Sequence, residues 1–193
     1  MNAEQIKRIK SSIVPTKKLI TGTTPNSLSN KICENINCYA YALGIMWNGN
    51  EVYFRPGFTE KSIDDRDDRD ILNDSDIFMK GICSDLENLR ISYRQIDLDG
   101  EKSLEDGEYL IKVFFSKTYG IFPNSEFHFV RFDKHTNIWY HKFGWFEQPE
   151  VVNDFSYDRV KYKDSEQSEP DGFFDLDGVT NLEPLGYFVI KEK

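Results

Sequence analysis

The sequence predicts an α+β domain in which a short helix packs on an antiparallel β-sheet. Two observations support this class. Runs of β-branched and aromatic residues, which are typical of strands, lie in the second half of the chain at 108–116, 126–133, 138–143 and 185–191. A helix-compatible run that contains Cys38 precedes all of them, and we expect this helix to cover the sheet.

Length and composition predict a single domain over residues 1–193. The chain has 193 residues, of which 39% are hydrophobic, and no Pro/Gly/Ser-rich linker divides it. A chain of this size can bury a substantial core. We expect residues 1–30 to form an N-terminal helix, which ends before Pro15, and a polar loop. Residues 31–193 are expected to form the core that carries the reactive side chains.

The helix that contains Cys38 is predicted from its end signals. Asn35 or Asn37 can serve as the N-cap, and Gly44 marks a stop about two turns later. The unpaired N–H groups and the partial positive charge of a first helical turn favour a thiolate, so we expect the Cys38 thiol to ionise near neutral pH. The alternative is a packed core cysteine, because free cysteine is among the most buried residue types.

A second helix is predicted from Ser75 to Leu89. Apolar residues recur there at helical spacing, and Ser75 or Asp74 can cap its start. This pattern indicates a helix that packs on the core through one face. Cys83 lies on it and is expected to be structural rather than reactive.

Two histidines lie on neighbouring strands of a predicted hairpin. His128 and His141 fall in the second and third strand-like runs, and the polar residues 133–137 between the runs indicate a turn. Side chains alternate along a strand, so His128 shares a face with Val130 and Phe132. Pairing about this turn brings the two histidines together, so that one imidazole can act on the thiol while the other orients it. The structural alternative is a pair of histidines that only pack within the sheet.

Four short motifs follow one another along the chain: Asn-Cys-Tyr-Ala-Tyr-Ala at 37–42, Phe-His-Phe-Val-Arg at 127–131, Trp-Tyr-His-Lys-Phe-Gly at 139–144 and Gly-Tyr-Phe-Val at 186–189. In this order they resemble the NlpC-type branch of the papain-like cysteine peptidases. The resemblance is closest to a group of largely uncharacterised bacterial and phage proteins whose motifs read Asn-Cys-Tyr-x-Tyr-Ala, His-x-Tyr-Arg and Trp-x-His-Lys-Pro-Gly. It spans about residues 35–190. Phe143 replaces the usual proline, and Val130 replaces an aromatic residue.

The resemblance implies a papain-like fold and a Cys-His-His triad, with Cys38 as nucleophile, His128 as general base and His141 as the orienting member. It implies a hydrolase that cleaves an amide or isopeptide bond through a Cys38 thioester. The substrate would be a peptide or protein, either a peptidoglycan stem peptide or a host protein. A deamidase, a transglutaminase-type acyl transferase and a non-catalytic binding module on the same scaffold are alternatives, because a fold does not fix a substrate.

An oxyanion hole would combine the Cys38 backbone N–H with one further donor. Asn37 and Asn35 are the candidate donors, and helix capping is the competing role for both. No cofactor is expected. A zinc site is disfavoured because the histidine and cysteine spacings match no compact ligand motif, and the acidic turns at Asp97 and Asp175 lack residues that an EF-hand loop needs.

Charge and targeting signals limit the partners and the location. The net charge of −9 argues against nucleic acid, which needs a clustered basic surface. No apolar run is long enough to span a bilayer, and the N-terminus lacks the plan of a secretory signal. The cysteines are odd in number, which favours reduced thiols over a disulfide framework. We therefore expect a monomer made in the cytoplasm, with export or injection without a cleaved signal as an open route.

Two polar stretches are expected at the surface. The charged run 64–70 is expected to be solvated. The acidic segment 154–177 is expected to form a mobile excursion between the hairpin and the last strand, either as a simple loop or as a cap over a cleft.

Overall fold

The computed structural model describes eleven parts of the chain. These parts are residues 3–4, 7, 36–45, 54–60, 74–115, 127–134, 137–142, 149–151, 160–162, 170–174 and 181–191. Ala3, Glu4 and Lys7, the described part of the predicted N-terminal helix, are helical. Some expectations lie outside the described residues, namely those for the polar loop 21–30, Cys33, Asn35 and the charged run 64–70.

The elements that follow the N-terminal stretch are labelled here in chain order. They are α1 (Cys38–Leu43), α2 (Ser75–Leu89), β1 (Tyr93–Ile96), β2 (Glu108–Phe115), β3 (Phe127–Asp133), β4 (Ile138–His141), β5 (Glu150–Val151), β6 (Val160–Tyr162), β7 (Pro170–Phe174) and β8 (Asn181–Lys191).

The strands form one antiparallel sheet in the order β5-β4-β3-β2-β8-β7-β6, and β1 also pairs with β8. Helices and an antiparallel sheet together confirm the predicted α+β class. The four strands expected from the sequence are confirmed as β2, β3, β4 and β8, although β8 begins at Asn181, earlier than expected.

The simple-loop expectation for the acidic segment 154–177 is wrong where the structure describes it. Two strands, β6 and β7, lie within this segment, pair with each other and join the sheet through β8. A strand that contains Pro170 and Gly172 is tolerated near the edge of a sheet, where fewer backbone groups must pair. Composition alone indicated a loop, but these residues form strands because they pair with each other and with β8.

Helix α1 forms because both of its ends are capped, as the sequence predicts. The Asn37 side chain accepts a hydrogen bond from the Ala40 amide at 3.0 Å, which satisfies one N–H of the first turn. Gly44 ends the helix with φ at 66°, a left-handed conformation that glycine adopts readily. All six helical residues are buried.

Helix α2 begins and packs as the sequence predicts. Asp74 is its N-cap and accepts from the amides of Asp76 and Ile77. Its buried residues follow helical spacing, and one of them, Asp85, is charged. Phe78 packs on the sheet with its ring centroid 4.8 Å from that of Phe115. Within the described part of the chain, no helix is long and apolar enough to cross a membrane.

The sheet buries both of its faces. The helix face is the one on which α1 and α2 pack, and its strand residues include Tyr109, Val113 and Phe129. The far face carries the alternate residues of the same strands, among them Leu110, Phe114, Val130 and Trp139. Because side chains alternate along a strand, each strand residue can be assigned to one face from its neighbours.

Candidate functional site

His128 and His141 form a hydrogen-bonded pair on the far face. His128 pairs across the sheet with Phe114 and His141 with Val130, so both rings project from the far face. His128 Nε2 lies 3.1 Å from His141 Nδ1, with the ring planes at 84° to each other. The prediction that the hairpin brings these imidazoles together is confirmed.

The histidine pair is removed from water, with exposed fractions of 5% for His128 and 3% for His141. Burial lowers the pKa of His141 to about 3, because an imidazolium is costly to hold away from solvent. His141 is therefore neutral at pH 7. A neutral ring has one donor and one acceptor nitrogen, so the role of His141 Nδ1 in the bond to His128 depends on the tautomer of His141.

Cys38 is the first residue of α1, and its thiol lies against the edge of β3. The Sγ atom is 4.0 Å from the Phe127 carbonyl oxygen, and the Phe129 amide also interacts with the sulfur. The pairing of β4 with β3 covers Val130 to Asp133 only. The thiol therefore lies beside the part of β3 that β4 leaves uncovered, between the two residues that flank His128.

The Cys38 thiol is neutral at physiological pH, contrary to the sequence-based expectation. Burial raises its pKa to about 12, and this outweighs the opposing effects of the Phe129 and Tyr39 amides and of the Lys142 cation. The expectation relied on the positive end of a helix, but α1 has only six residues and the thiol is 7% exposed. Desolvation was the effect that the sequence could not reveal.

The structure does not join Cys38 to the histidines by a hydrogen bond. Cys38 belongs to the core of the helix face, whereas His128 and His141 project from the far face. Among the described residues, the hydrogen-bond partners of the Cys38 sulfur are backbone groups of β3 and α1 rather than an imidazole. The histidine pair and the thiol thus meet at the β3 edge from opposite sides.

Lys142 is a charged residue near the thiol that the sequence analysis did not single out. It directly follows His141 at the end of β4, is fully buried, and its positive charge favours the Cys38 thiolate. Helix α1 packs on both β3 and β4, which places the two residues in one region. The sequence signal for Lys142 was its position directly after His141 in the third motif.

The oxyanion-hole candidates have different outcomes. Asn37 is 6% exposed and uses both ends of its side chain within the fold. Its Oδ1 accepts from the Ala40 amide and its Nδ2 donates to the Phe54 carbonyl at 2.5 Å. An Asn37 side chain held in this way serves the helix cap, so an oxyanion role would require it to leave the Phe54 carbonyl. Asn35 lies outside the described residues.

Asp85 is a buried acidic residue that the sequence analysis missed. Its carboxylate lies on the apolar face of α2 and accepts hydrogen bonds from Tyr39 and from the segment 54–60. The signal was an aspartate at an apolar position, one residue before Leu86 and three after Ile82. An acidic residue in such a stripe is rarely buried without partners.

The described residues contain no group of three or more His, Cys, Asp or Glu side chains that could hold a metal ion. Comparisons of the chain with family models, with curated proteins and with solved structures find no match.

Proposed function

We propose that the protein is a papain-like cysteine hydrolase, a peptidase or amidase that cleaves an amide or isopeptide bond. The observation that carries this proposal is the His128–His141 hydrogen bond of 3.1 Å, located beside the strand edge on which the Cys38 thiol lies. A thiol, a base and an orienting group from one helix and one hairpin are what thioester chemistry requires.

The proton transfers follow from the neutral thiol and the neutral His141. In the tautomer that this scheme requires, His141 Nδ1 accepts from His128 Nε2–H, and Nδ1 of His128 is then the basic nitrogen. The step requires the Cys38 side chain to turn from the Phe127 carbonyl on the helix face and pass the edge of β3 toward His128. Sγ then attacks the substrate carbonyl while His128 takes the thiol proton, which it later gives to the departing amine. Water, activated by His128, then cleaves the thioester and restores the thiol.

In this scheme the base removes the thiol proton during attack, because a thiol whose pKa is about 12 holds no appreciable thiolate at rest. Burial of His141 assists the step, since its acceptor nitrogen stays unprotonated at neutral pH. Lys142 and the Phe129 amide stabilise the sulfur as negative charge develops on it. The Cys38 amide would supply one donor to the oxyanion.

The test combines a covalent probe with a substrate panel. Wild type, Cys38→Ala and the matched control Cys83→Ala are incubated with an electrophilic amide probe, with peptidoglycan stem peptides, and with isopeptide-linked and glutamine-containing peptides. We expect a probe adduct on Cys38, and turnover that Cys38→Ala abolishes and Cys83→Ala retains. Turnover that survives Cys38→Ala would rule out the mechanism.

The same thioester allows two related outcomes that the panel separates. Release of ammonia from glutamine without chain cleavage identifies a deamidase, and incorporation of an added amine identifies an acyl transferase. Both would keep Cys38 and the histidine pair in their proposed roles while changing the reaction.

A non-catalytic binding module is the second candidate, and the burial of Cys38 favours it. A thiol that is 7% exposed, with a pKa raised to about 12, has the properties of a core cysteine. If this candidate is correct, the probe labels Cys38 no faster than it labels Cys83, and no substrate of the panel turns over.

A further inference from the structure

We propose that Asp85 is the positioning residue for Cys38, because its carboxylate binds the side chain of Tyr39, which follows the thiol, and holds the segment 54–60, which binds the side chain of Asn37, which precedes it. The catalytic meaning of this role rests on the proposed function, whereas the positioning itself is a property of the fold. Asp85 lies on α2, and it reaches Cys38 through the segment 54–60 and through Tyr39.

Four donors converge on the Asp85 carboxylate. Oδ2 accepts from the Tyr39 hydroxyl at 2.8 Å and from the Gly57 amide at 2.6 Å. Oδ1 accepts from the Thr59 amide at 2.8 Å and from the Thr59 hydroxyl at 2.6 Å. The Gly57 and Thr59 backbone amides can only donate, and they bind different oxygens of Asp85. Both carboxylate oxygens must therefore act as acceptors.

These bonds fix the residues next to the thiol from two directions. Tyr39 directly follows Cys38 and is held by Asp85 itself. Asn37 directly precedes Cys38 and donates to the Phe54 carbonyl, at the start of the segment that Asp85 holds. Cys38 therefore lies between two residues whose side chains are fixed by one carboxylate and the segment bound to it.

The segment 54–60 also packs closely on α2. A Cβ atom on Gly81 would lie 2.9 Å from the Gly57 amide nitrogen, so the absence of a side chain at Gly81 permits this approach. Phe54 and Phe58 contact each other edge to face, and Phe58 contacts the Tyr39 ring. The position of the Gly57 and Thr59 amides relative to Asp85 is thus set by packing as well as by hydrogen bonds.

Asp85 is fully buried, so an ionised carboxylate there depends on its four donors. Burial raises its pKa to about 7, and the bonds from Thr59, Tyr39 and Gly57 oppose this rise. Replacement of buried charged groups by apolar residues that pack equally well often leaves a fold as stable or more stable. A positional role accounts for a charged group at this place.

Differential labelling of two cysteines tests the proposal. In a Cys33→Ser background, the rates of iodoacetamide labelling at Cys38 and Cys83 are measured under native conditions by peptide mass spectrometry. Cys83 lies on the same helix as Asp85 and serves as an internal reference. For Asp85→Asn, which places an amide donor opposite a backbone N–H, we expect the Cys38 rate to rise about tenfold or more relative to Cys83.

Two further variants complete the experiment. Asp76→Asn changes an exposed carboxylate on the same helix and should leave the Cys38 to Cys83 ratio unchanged. Tyr39→Phe removes one of the four donors and should raise the ratio by a smaller factor than Asp85→Asn, in a protein that keeps its fold. The measurement needs no turnover, so it remains informative if the substrate panel shows no hydrolysis.

Two results would overturn the positioning role. In the first, labelling of Cys38 and Cys83 rises in parallel with the population of globally unfolded protein, which indicates that Asp85 only stabilises the fold. In the second, the ratio is unchanged in both Asp85→Asn and Tyr39→Phe. Failure of the proposed function has a different signature, namely the absence of Cys38-dependent turnover in the wild type.

Discussion

The two faces of the sheet bury polar groups in different ways. On the helix face, the Asp85 carboxylate accepts four hydrogen bonds from groups that donate. On the far face, His128 and His141 form a hydrogen bond with each other, in which one ring nitrogen donates and the other accepts. Asp85 thus holds several segments in place, whereas the histidine bond couples the donor and acceptor roles of two rings on neighbouring strands.

The two sites also respond to pH in opposite ways. Burial favours the neutral form of both groups, and the neutral form of Asp85 holds its titrating proton whereas the neutral form of His141 has lost it. Native Asp85, with its pKa raised to about 7, retains a proton over a range in which an unfolded aspartate has lost it. Native His141, with its pKa lowered to about 3, lacks a proton that an unfolded histidine would bind. Stability rises with pH wherever the unfolded state binds more protons. Between about pH 4 and 6.5, His141 therefore makes stability rise with pH, and Asp85 makes it fall.

The largest expected effect separates the contributions of His141 and Asp85 to the pH dependence of stability. Relative to wild type, His141→Asn should tilt the stability–pH curve downward with rising pH, since the Asp85 contribution remains. Asp85→Asn should tilt it upward, since the His141 contribution remains. Each group contributes a slope of up to about 1.4 kcal/mol per pH unit, so the two variants should diverge by several kcal/mol over this range. Urea denaturation between about pH 4 and 6.5 measures the slopes, and equal slopes in both variants would contradict the contrast.

The contrast also shows which parts of the site could be predicted from the sequence. The histidine pair was predictable because strand alternation and a short turn fix the register, and the structure has Val130 opposite His141. The α1 cap at Asn37 was predictable because capping is local. The partners of Asp85 were not, because they lie 26 to 46 residues away in the chain.

The protonation state of Cys38 was not predictable for a related reason. A helix N-terminus can be recognised in the sequence, but the burial that raises the pKa of this thiol to about 12 comes from residues distant in the chain. The alternation that places His128 with Val130 was correctly predicted, yet it does not indicate on which face α1 packs. That choice depends on the packing of whole elements, with Phe129 facing the Tyr39 ring at 4.8 Å.

Truncation at Asp85 should have the next largest effect. Asp85→Ala leaves four buried donors without their acceptor, and we expect the free energy of unfolding to fall by about 3 kcal/mol. Glu87→Ala removes an exposed carboxylate on the same helix that accepts a hydrogen bond from the Tyr93 hydroxyl, and it should change the free energy of unfolding by less than about 1 kcal/mol. Urea denaturation at neutral pH measures both. Equal effects at the two positions would remove the distinction between a buried anchor and an exposed carboxylate.

A smaller effect is expected where α2 approaches the segment 54–60. Gly81→Ala places a Cβ 2.9 Å from the Gly57 amide nitrogen and 3.0 Å from the Pro56 carbonyl carbon. Alanine favours a helix over glycine by about 1 kcal/mol, but the backbone atoms it meets are held by Asp85, so we expect a net loss of about 2 kcal/mol. Ser84→Ala on the same helix, which adds no atom, is the control. A stabilised Gly81→Ala would show that the segment yields readily and is not held in place.

The smallest expected effect tests a single donor of the Asp85 carboxylate. Tyr39→Phe removes the hydroxyl that donates to Oδ2 at 2.8 Å and keeps the ring that packs on Phe129. We expect a loss of about 1 kcal/mol in the free energy of unfolding, because Oδ2 keeps its bond from the Gly57 amide. The same change in an Asp85→Ala background should cost nothing or stabilise the fold, since it removes a buried hydroxyl that has lost its acceptor. A double-mutant cycle measured by urea denaturation gives this coupling, and additive losses would mean that the hydroxyl and the carboxylate stabilise the fold independently.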